Sequence, residues 1–389
     1  MTELRQHAAT DSPAGAELFD LVCPLTRLPL VISSLADARD RIADGRALAR
    51  RESNAGVAAA VGESDPVLLR ADNRAAYPII DGIPILLGPE RLSAPGEAVQ
   101  FDLTTGHYAE AYNETPFYDA EAIAKTTQIE NNSLVGLPFD GLNRLGLLHQ
   151  MSLRHRSDFP NPPLRWLAAS VDSPCEWDCF AHLAPVQERR MAQIGGTGEV
   201  AMTLLLAGTR AAILITPMLG EARLARALAR KLGVAERFRC AVGIAEELPL
   251  PDTSLEIVYS GGSVHHMTTE LAFPEVARVL RSGGRFAAME PWRAPLYALG
   301  TRVFGKREAN PFCRPLTRAR VAPLFQAFSQ ARCIQHGALT RYPMLAMQKL
   351  GARISQATAW RVGRTDDRIC AAIPGLRRLG SGVALLATK

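Results

Sequence analysis

Between Met191 and Glu290 the chain repeats one unit: an apolar run, a turn, then a stretch with apolar residues three and four apart. Strands alternating in this way with helices of about a dozen residues imply right-handed βαβ crossovers and a parallel sheet. The first unit, MAQIGGTGEVA (Met191 to Ala201), constrains the fold most. Its strand stops at Gly195-Gly196-Thr197-Gly198 and a helix follows at once. Glycines let a ligand approach the backbone closely, and the amides at a helix N-terminus favour anions and hydroxyls. A glycine turn of this kind also serves as a plain tight βα connection, so alone it names no ligand.

The segments that follow narrow the reading. TRAAILITP (Thr209 to Pro217) is a second apolar strand, and EARLARALARKLG (Glu221 to Gly233) is a helix stopped by glycine. A helix ending at Ser282-Gly283-Gly284 leads into a strand that closes at Glu290-Pro291. The glycine loop, AEELPLPD (Ala245 to Asp252), SLEIVYSGGSVHHM (Ser254 to Met267) and RVLRSGGRF (Arg278 to Phe286) occur in that order. Together they resemble the class I S-adenosylmethionine-dependent methyltransferases, and within them the small-molecule, methyltransferase type 11-like branch related to quinone biosynthesis.

The resemblance implies an α/β, Rossmann-like seven-stranded sheet and S-adenosylmethionine as cofactor. It implies a small apolar acceptor of the kind met in secondary metabolism. Cofactor contacts would come from Gln193, Gly195, Gly196, Thr197, Gly198, Thr216, Ile244, Ala245, Glu246 and Gly261. In the family the second strand ends in an acid that takes both ribose hydroxyls, a task suited to a carboxylate because it accepts two hydrogen bonds at once. Here Thr216 stands in that place. Ile244 stands where an aspartate receives the adenine amino group, and Gln193 where an acid helps position the methionine amino group. The glycine loop is also one residue shorter than usual. Each lost charge-assisted bond costs roughly 1.5–3 kcal/mol, so backbone contacts from the glycines, Ala245 and Glu246 carry more of the binding.

His265 and His266 follow the fourth strand. The resemblance places them near the acceptor, where an imidazole accepts a proton near neutral pH; the alternative is that they only shape the loop. Glu290 faces the same crevice from the end of the fifth strand. Further on, Lys306, Arg307, Arg314, Arg318 and Arg320 form a basic cluster, read either as a solvated face or as an anion-binding cover. The C-terminal part reads as a helix over Val321 to Phe328, a sixth strand over Ala331 to Gly337 and a last strand over Ser381 to Lys389, which the resemblance implies is antiparallel and inserted between the fifth and sixth. Arg341 to Trp360 reads as one added apolar helix.

Residues 1–16 read as a flexible tail, 17–91 as a small β-rich domain, 92–187 as a helical cap or connector, and 188–389 as the methyltransferase-like domain. The pairing of LVCPLT (Leu21 to Thr26) with AYPIIDGIPILL (Ala76 to Leu87) resembles the Trm112-like family, which is often a zinc ribbon. A ribbon needs four soft ligands, and this segment offers Cys23 only, which favours a metal-free domain with Cys23 as a packed core residue. In the connector, Tyr108, Tyr112, Phe117 and Tyr118 on His107 to Asp119 would line an acceptor pocket or pack internally. Cys175 and Cys179 lie four apart without enough further ligands for a metal.

The net charge of +5 over 389 residues is spread thinly, which argues against nucleic acid as a partner. No run of about 18 uncharged apolar residues suggests a membrane span. Seven irregularly spaced cysteines fit reduced thiols and a cytoplasmic location. The expected partner is a small-molecule substrate, with homodimerisation left open. Two other readings remain at this point: a repurposed fold with a degenerate cofactor site catalysing a non-methylation reaction, and a non-catalytic scaffold or interaction protein.

Overall fold

The computed structural model describes residues 19–41, 64–73, 75–87, 158–167, 171–295, 314–373 and 375–389. Most of the expected connector, including His107 to Asp119 and Gly141 to Arg156, lies outside the described residues, as do Lys306 and Arg307.

Near the N-terminus, β1 (Leu30–Ser34), helix α1 (Leu35–Arg41), β2 (Pro66–Arg70), β3 (Ala76–Ile80) and β4 (Ile83–Pro84) build an antiparallel sheet in sequence order. The β3–β4 hairpin turns at Asp81-Gly82 with φ of 51° and 72°. Two successive positive φ values define the tight turn whose twist matches the flanking strands. Cys23 is buried, and it is more than apolar filling: its Sγ lies 3.1 Å from the Tyr77 hydroxyl, and Arg70 donates to it at 3.8 Å. Burial alone would raise its pKa, but the hydrogen bonds from Thr26, Tyr77 and Arg70 hold it below the usual thiol value.

Two helices come next, α2 (Pro163–Trp166) and α3 (Ser173–Leu183). The alternating region then gives β5 (Arg190–Ile194), α4 (Glu199–Leu206), β6 (Ala211–Thr216), α5 (Leu219–Lys231), β7 (Phe238–Val242), β8 (Leu255–Gly261), α6 (Thr269–Val279) and β9 (Leu280–Pro291). The C-terminal part adds α7 (Arg318–Ala327), β10 (Gln330–His336), α8 (Arg341–Lys349), α9 (Gln356–Ala372) and β11 (Gly382–Thr388). The seven-stranded sheet runs β10-β11-β9-β8-β5-β6-β7, with β11 antiparallel between its neighbours as expected. Every residue of β6 is buried, which is why it reads as an unbroken apolar run: a parallel strand between helical layers has no polar face.

Two local expectations change. The helix before β9 ends at Val279, and Ser282-Gly283-Gly284 lies within the strand as an irregularity, where pairing jumps from Leu255↔Leu280 to Ile257↔Arg285. Gly283 adopts φ 73°, and a Cβ on Gly284 would lie 2.7 Å from the Arg281 carbonyl, so these glycines permit a bulge rather than terminate a helix. Likewise, Arg341 to Trp360 is two helices and not one. α8 closes at Lys349, Gly351 takes φ 87°, and Ser355 caps α9 by accepting from the Thr358 amide.

The helical layers differ on the two faces of the sheet. α3, α4 and α5 cover one, with α3 packed on β9 and β11 even though it belongs to the stretch expected as connector. α6 and α7 cover part of the other. Between β7 and β8 stands only a short 3-10 turn (Ala245–Glu247), which leaves Ile213, Ile215 and Ala241 without a covering helix. Phe19, Cys23, Tyr77 and Leu86 of the N-terminal unit fill that space. Ile85 pairs with Val242 at the outer strand, and the Leu86 amide donates to the Val242 carbonyl at 2.7 Å. Arg27 pairs with Glu275 at 2.9 Å, and Arg223 donates to Asp81 at 2.8 Å. The carboxyl end of the β7 edge is thereby paired at Val242. Among the described residues no helix is long and apolar enough to cross a membrane.

Two predictions follow from this packing. Because the N-terminal unit shares one core with the sheet, Tyr77→Ala should cost about 3–5 kcal/mol. It should lower the midpoint of a single denaturant transition for the whole chain; two separate transitions would show independent folding. The second concerns buried His336, whose Nδ1 lies 2.8 Å from Asp367 and whose Nε2 lies 3.1 Å from Asp178, the latter an ion pair rather than an aligned hydrogen bond. Burial works against its charge, but the two carboxylates push its pKa up to about 10. The folded state therefore keeps a proton that an ordinary imidazole (pKa about 6.5) releases. Its stabilising contribution is complete below about pH 6.5 and is lost as pH rises toward 10. Thermal midpoints should fall across that window, and His336→Gln should flatten the fall.

Candidate active site

The carboxyl ends of the parallel strands bring three segments together: the loop after β5, the end of β6 and the turn after β8. Sheets of this kind bind ligands in that crevice. Gly195, Gly196 and Gly198 adopt φ of 75°, 74° and 81°. A Cβ on Gly195 would stand 2.2 Å from the Ser263 hydroxyl oxygen, and one on Gly198 would stand 3.0 Å from Ala225. The loop is thus pressed against the turn after β8 on one side and against α5 on the other, where side chains have no room. Thr197 is only part-buried at the loop's crest.

Gln193 holds this loop from within. Its amide nitrogen donates to the Gly195 carbonyl at 2.9 Å, and its amide oxygen accepts from the Ala201 backbone at 2.8 Å. Both halves of the side chain therefore serve the loop and the first turn of α4. Thr216 ends β6 fully buried, donating to a carboxylate oxygen of Glu221 at 2.5 Å and accepting from the Met218 amide at 3.3 Å. Ile244 lies in the apolar core, so its side chain faces packing rather than a ligand's polar edge. Ala245 is buried beside it, while Glu246 accepts from the Thr268 amide at 2.7 Å. Gly261 closes β8 with the Tyr259 ring against it: a Cβ there would meet the phenol oxygen at 2.9 Å.

Val264–His266 form a short 3-10 turn, and Glu290 organises it. One Glu290 oxygen accepts from the Ser263 and Val264 amides at 2.9 and 2.8 Å. The other accepts from the His265 amide at 3.3 Å and lies 2.7 Å from His265 Nδ1. The Glu290 side chain is wholly buried, whereas that of His265 retains 12% exposure. A carboxylate that receives amide protons on both oxygens acts as an acceptor, so Nδ1 carries the imidazole proton and Nε2 keeps a lone pair. His266 lies beside it, the two rings tilted by 41° with centroids 4.1 Å apart.

From the other side, the Arg314 amide and the Arg320 guanidinium donate to the His265 carbonyl, each at 3.2 Å, and Arg320 also reaches the Met267 carbonyl at 2.8 Å. Arg320 is therefore neither a solvated face nor an anion clamp, because its guanidinium braces the turn. Glu290's bracing and Glu221's proximity to Thr216 are the features that motif reading missed. Glu221 was legible only as a helix-start acid, since nothing in the spacing shows which way it folds back.

Cys175 and Cys179 are buried on α3, and burial with the Cys179 contact pushes the Cys175 thiol well up. That favours neutral thiols over metal-binding thiolates. No group of three or more His, Cys, Asp or Glu able to hold a metal occurs among the described residues. An open cleft bordered by His182, Arg285, Phe328 and Arg332 lies at the opposite, amino-terminal end of the sheet, away from the glycine loop.

A seven-stranded sheet of this order, with a glycine cradle at the first strand end, defines a Rossmann-like domain for a nucleoside-bearing cofactor. Gly196 and Thr197 are only part-buried there, which leaves loop backbone open to such a group. Residues 194–288 match the methyltransferase domain family. An uncharacterized methyltransferase of Mycobacterium tuberculosis is 36% identical over 106 residues, 26% of this chain and 40% of the relative. The 27-O-demethylrifamycin SV methyltransferase of Amycolatopsis mediterranei is 36% identical over 116 residues, 28% of this chain and 42% of the relative. The chain thus spans about two fifths of the length of these curated relatives. Among solved structures, the geranyl diphosphate C-methyltransferase of Streptomyces coelicolor is similar at 16% identity and a TM-score of 0.41, over 56% of this chain and 77% of that one. The methyltransferase-domain match is confined to residues 194–288, the stretch from the end of β5 into β9.

The contact between Gly195 and Ser263 is directly testable. Gly195→Ala should cost roughly 1–3 kcal/mol, since it adds both a clash and an unfavourable backbone conformation. Gly195→Ala combined with Ser263→Gly should recover the clash portion only. Thermal denaturation of the two variants measures the split, and equal losses would mean that the two residues do not touch.

Proposed function

We propose that this chain transfers the methyl group of S-adenosylmethionine to a small apolar acceptor through a hydroxyl or enol oxygen, with His265 as general base. The observation that carries this reading is the Glu290–His265 pair, which stands beside the glycine loop at the contact of Ser263 with Gly195. When bound, S-adenosylmethionine supplies the methyl group as an electrophile on a sulfonium. Gly195 to Gly198 would hold its nucleoside through bare backbone. His265 Nε2 accepts the acceptor's proton, and Glu290 keeps the ring in the required tautomer and stabilises the imidazolium that results. Removing that proton makes the oxygen a stronger nucleophile as the new carbon–oxygen bond forms, and the proton later passes from His265 to solvent. One matched relative is named for methylating a 27-O-demethyl compound, which supports oxygen as the accepting atom.

A second reading keeps the fold and changes the reaction. It is favoured by Gln193, whose amide is engaged with backbone, and by Ile244, which is buried in the core. Native mass spectrometry of freshly purified protein separates the two: co-purified S-adenosylmethionine or S-adenosylhomocysteine supports methyl transfer, and a different tightly held ligand supports the alternative.

His265→Ala should leave the fold and S-adenosylhomocysteine affinity intact while lowering turnover by ~10²–10⁴, the usual loss with an acid–base group. His266→Ala, which leaves the Glu290–His265 pair in place, should lower it far less. The measurement is S-adenosylhomocysteine release against a panel of small apolar alcohols and enols. Unchanged turnover in both variants and in the double variant would confine the pair to shaping the loop, with proximity supplying the catalysis.

A further inference from the structure

The cleft at the amino-terminal end of the sheet takes no part in the chemistry proposed above. It has a volume of about 790 Å³ and is bordered by the end of α3, the first residues of β10, the last of β11 and the residues that close α7. Arg285 in its wall and Glu290, which holds the candidate base, lie on one strand, roughly 16 Å apart. A ligand in the cleft would not touch the reacting atoms.

Strand register explains why cations meet here. Thr388 pairs with Arg285 on one side and with Gln330 on the other, so the three side chains share one face of the sheet. Arg332 is two residues beyond Gln330 on β10 and returns to that face. The two arginines stand about 12 Å apart at the backbone, a span that their long side chains can close around one ligand. Arg285 donates to the His182 carbonyl at 3.1 Å and to the Ala184 carbonyl, which fixes its guanidinium at the end of α3. Arg332 is exposed on the edge strand, and no carboxylate pairs with either arginine among the described residues.

His182 lies between them with Nε2 2.9 Å from the Ala387 carbonyl. Burial lowers its pKa, and the charges of Arg285 and Arg332 lower it further against that bond, so the imidazole is neutral and the guanidiniums supply the charge. A concave wall of one sign concentrates counter-ions, and the planar fork of an arginine matches the oxygens of a carboxylate or phosphate. Beside these cations stand two aromatic rings, Phe328 and Phe325, the latter 51% exposed. Cations next to apolar rings suit a ligand with an anionic head and an apolar body.

We propose that this cleft is a second ligand site, for a small organic anion (a carboxylate or a phosphate monoester) carried on an aromatic group. Arg332 recognises the anion, Arg285 adds a cation held in place by α3, and Phe325 meets the aromatic part. The proposal does not depend on the methyl-transfer reading.

Isothermal titration at constant ionic strength with phenyl phosphate, benzoate and inorganic phosphate tests it. Phenyl phosphate or benzoate should bind the wild-type protein at millimolar concentration or below, and the tighter of the two identifies the head group. In Arg332→Ala the affinity should fall roughly 10- to 100-fold, as for the loss of a charge-assisted hydrogen bond. Arg332→Lys keeps the charge without the planar fork; it should show a smaller loss and serves if the alanine variant does not fold. Phe325→Ala should erase the preference for phenyl phosphate over inorganic phosphate. Arg353→Ala, which removes an exposed charge outside the cleft, should change nothing, and neither should saturating S-adenosylhomocysteine. Four results would overturn the proposal. Neither aromatic anion binds, the Arg332 variants bind as wild type does, Arg353→Ala weakens binding as much as Arg332→Ala, or S-adenosylhomocysteine displaces the anion and so places it at the glycine loop.

Discussion

The contact of the glycine loop with the turn after β8 sets the geometry of the whole carboxyl edge. Gly195 sits so close to Ser263 that only a residue without a side chain can occupy it. Ser263 in turn begins the segment whose amides end on Glu290. A displacement of the loop would therefore pass directly to His265. Cofactor cradle and candidate base are parts of one constrained object, joined by a steric contact on one side and a buried carboxylate on the other. That coupling suits methyl transfer, where donor and acceptor atoms must be held in line and small misplacements are costly.

Buried polar groups do much of this work. Glu290 satisfies three backbone amides and an imidazole nitrogen, Gln193 satisfies two backbone groups, and Arg320 satisfies carbonyls around the same turn. Each is placed where the chain makes a tight turn and the backbone would otherwise be left unpaired. Polar networks of this sort are stabilising only when complete, because a lone buried donor or acceptor costs more than a satisfied one returns. The site's rigidity is thus tied to the identity of these residues, and a change at Glu290 affects the loop before it affects chemistry.

The order of strands and helices was legible because its signals are local: apolar runs for buried parallel strands, glycines at turns, and 3.6-residue spacing on helices. The final strand was legible for the same reason, while its antiparallel place between the fifth and sixth came from the family resemblance. The bulge at Ser282-Gly283-Gly284 and the break between α8 and α9 were not, since glycine permits a bulge, a helix stop and a left-handed cap alike, and tertiary pairing decides among them. His265 could be singled out by its motif, whereas Glu290's grip on its ring depends on β8 and β9 lying side by side. The bonds that Gln193 makes to the loop were not legible for a related reason. The spacing places it correctly on β5, but the shape of the glycine loop turns its amide inward.

The N-terminal unit shows the same principle at the scale of a layer. From the sequence it is a separate small piece over 17–91, bounded by LVCPLT and AYPIIDGIPILL. Yet the connection from β7 to β8 carries only a 3-10 turn, and a parallel sheet with one bare face is not stable in water. Tyr77, Leu86 and Cys23 supply the missing cover, and Ile85 pairs with Val242 at the end of β7. The 3-10 turn so covered holds Ala245 and Glu246, next to the end of β7 and the candidate cofactor site. An insertion or loss in the N-terminal unit would therefore reach the crevice through the backbone of residues 243–250, without any residue of that unit touching a ligand.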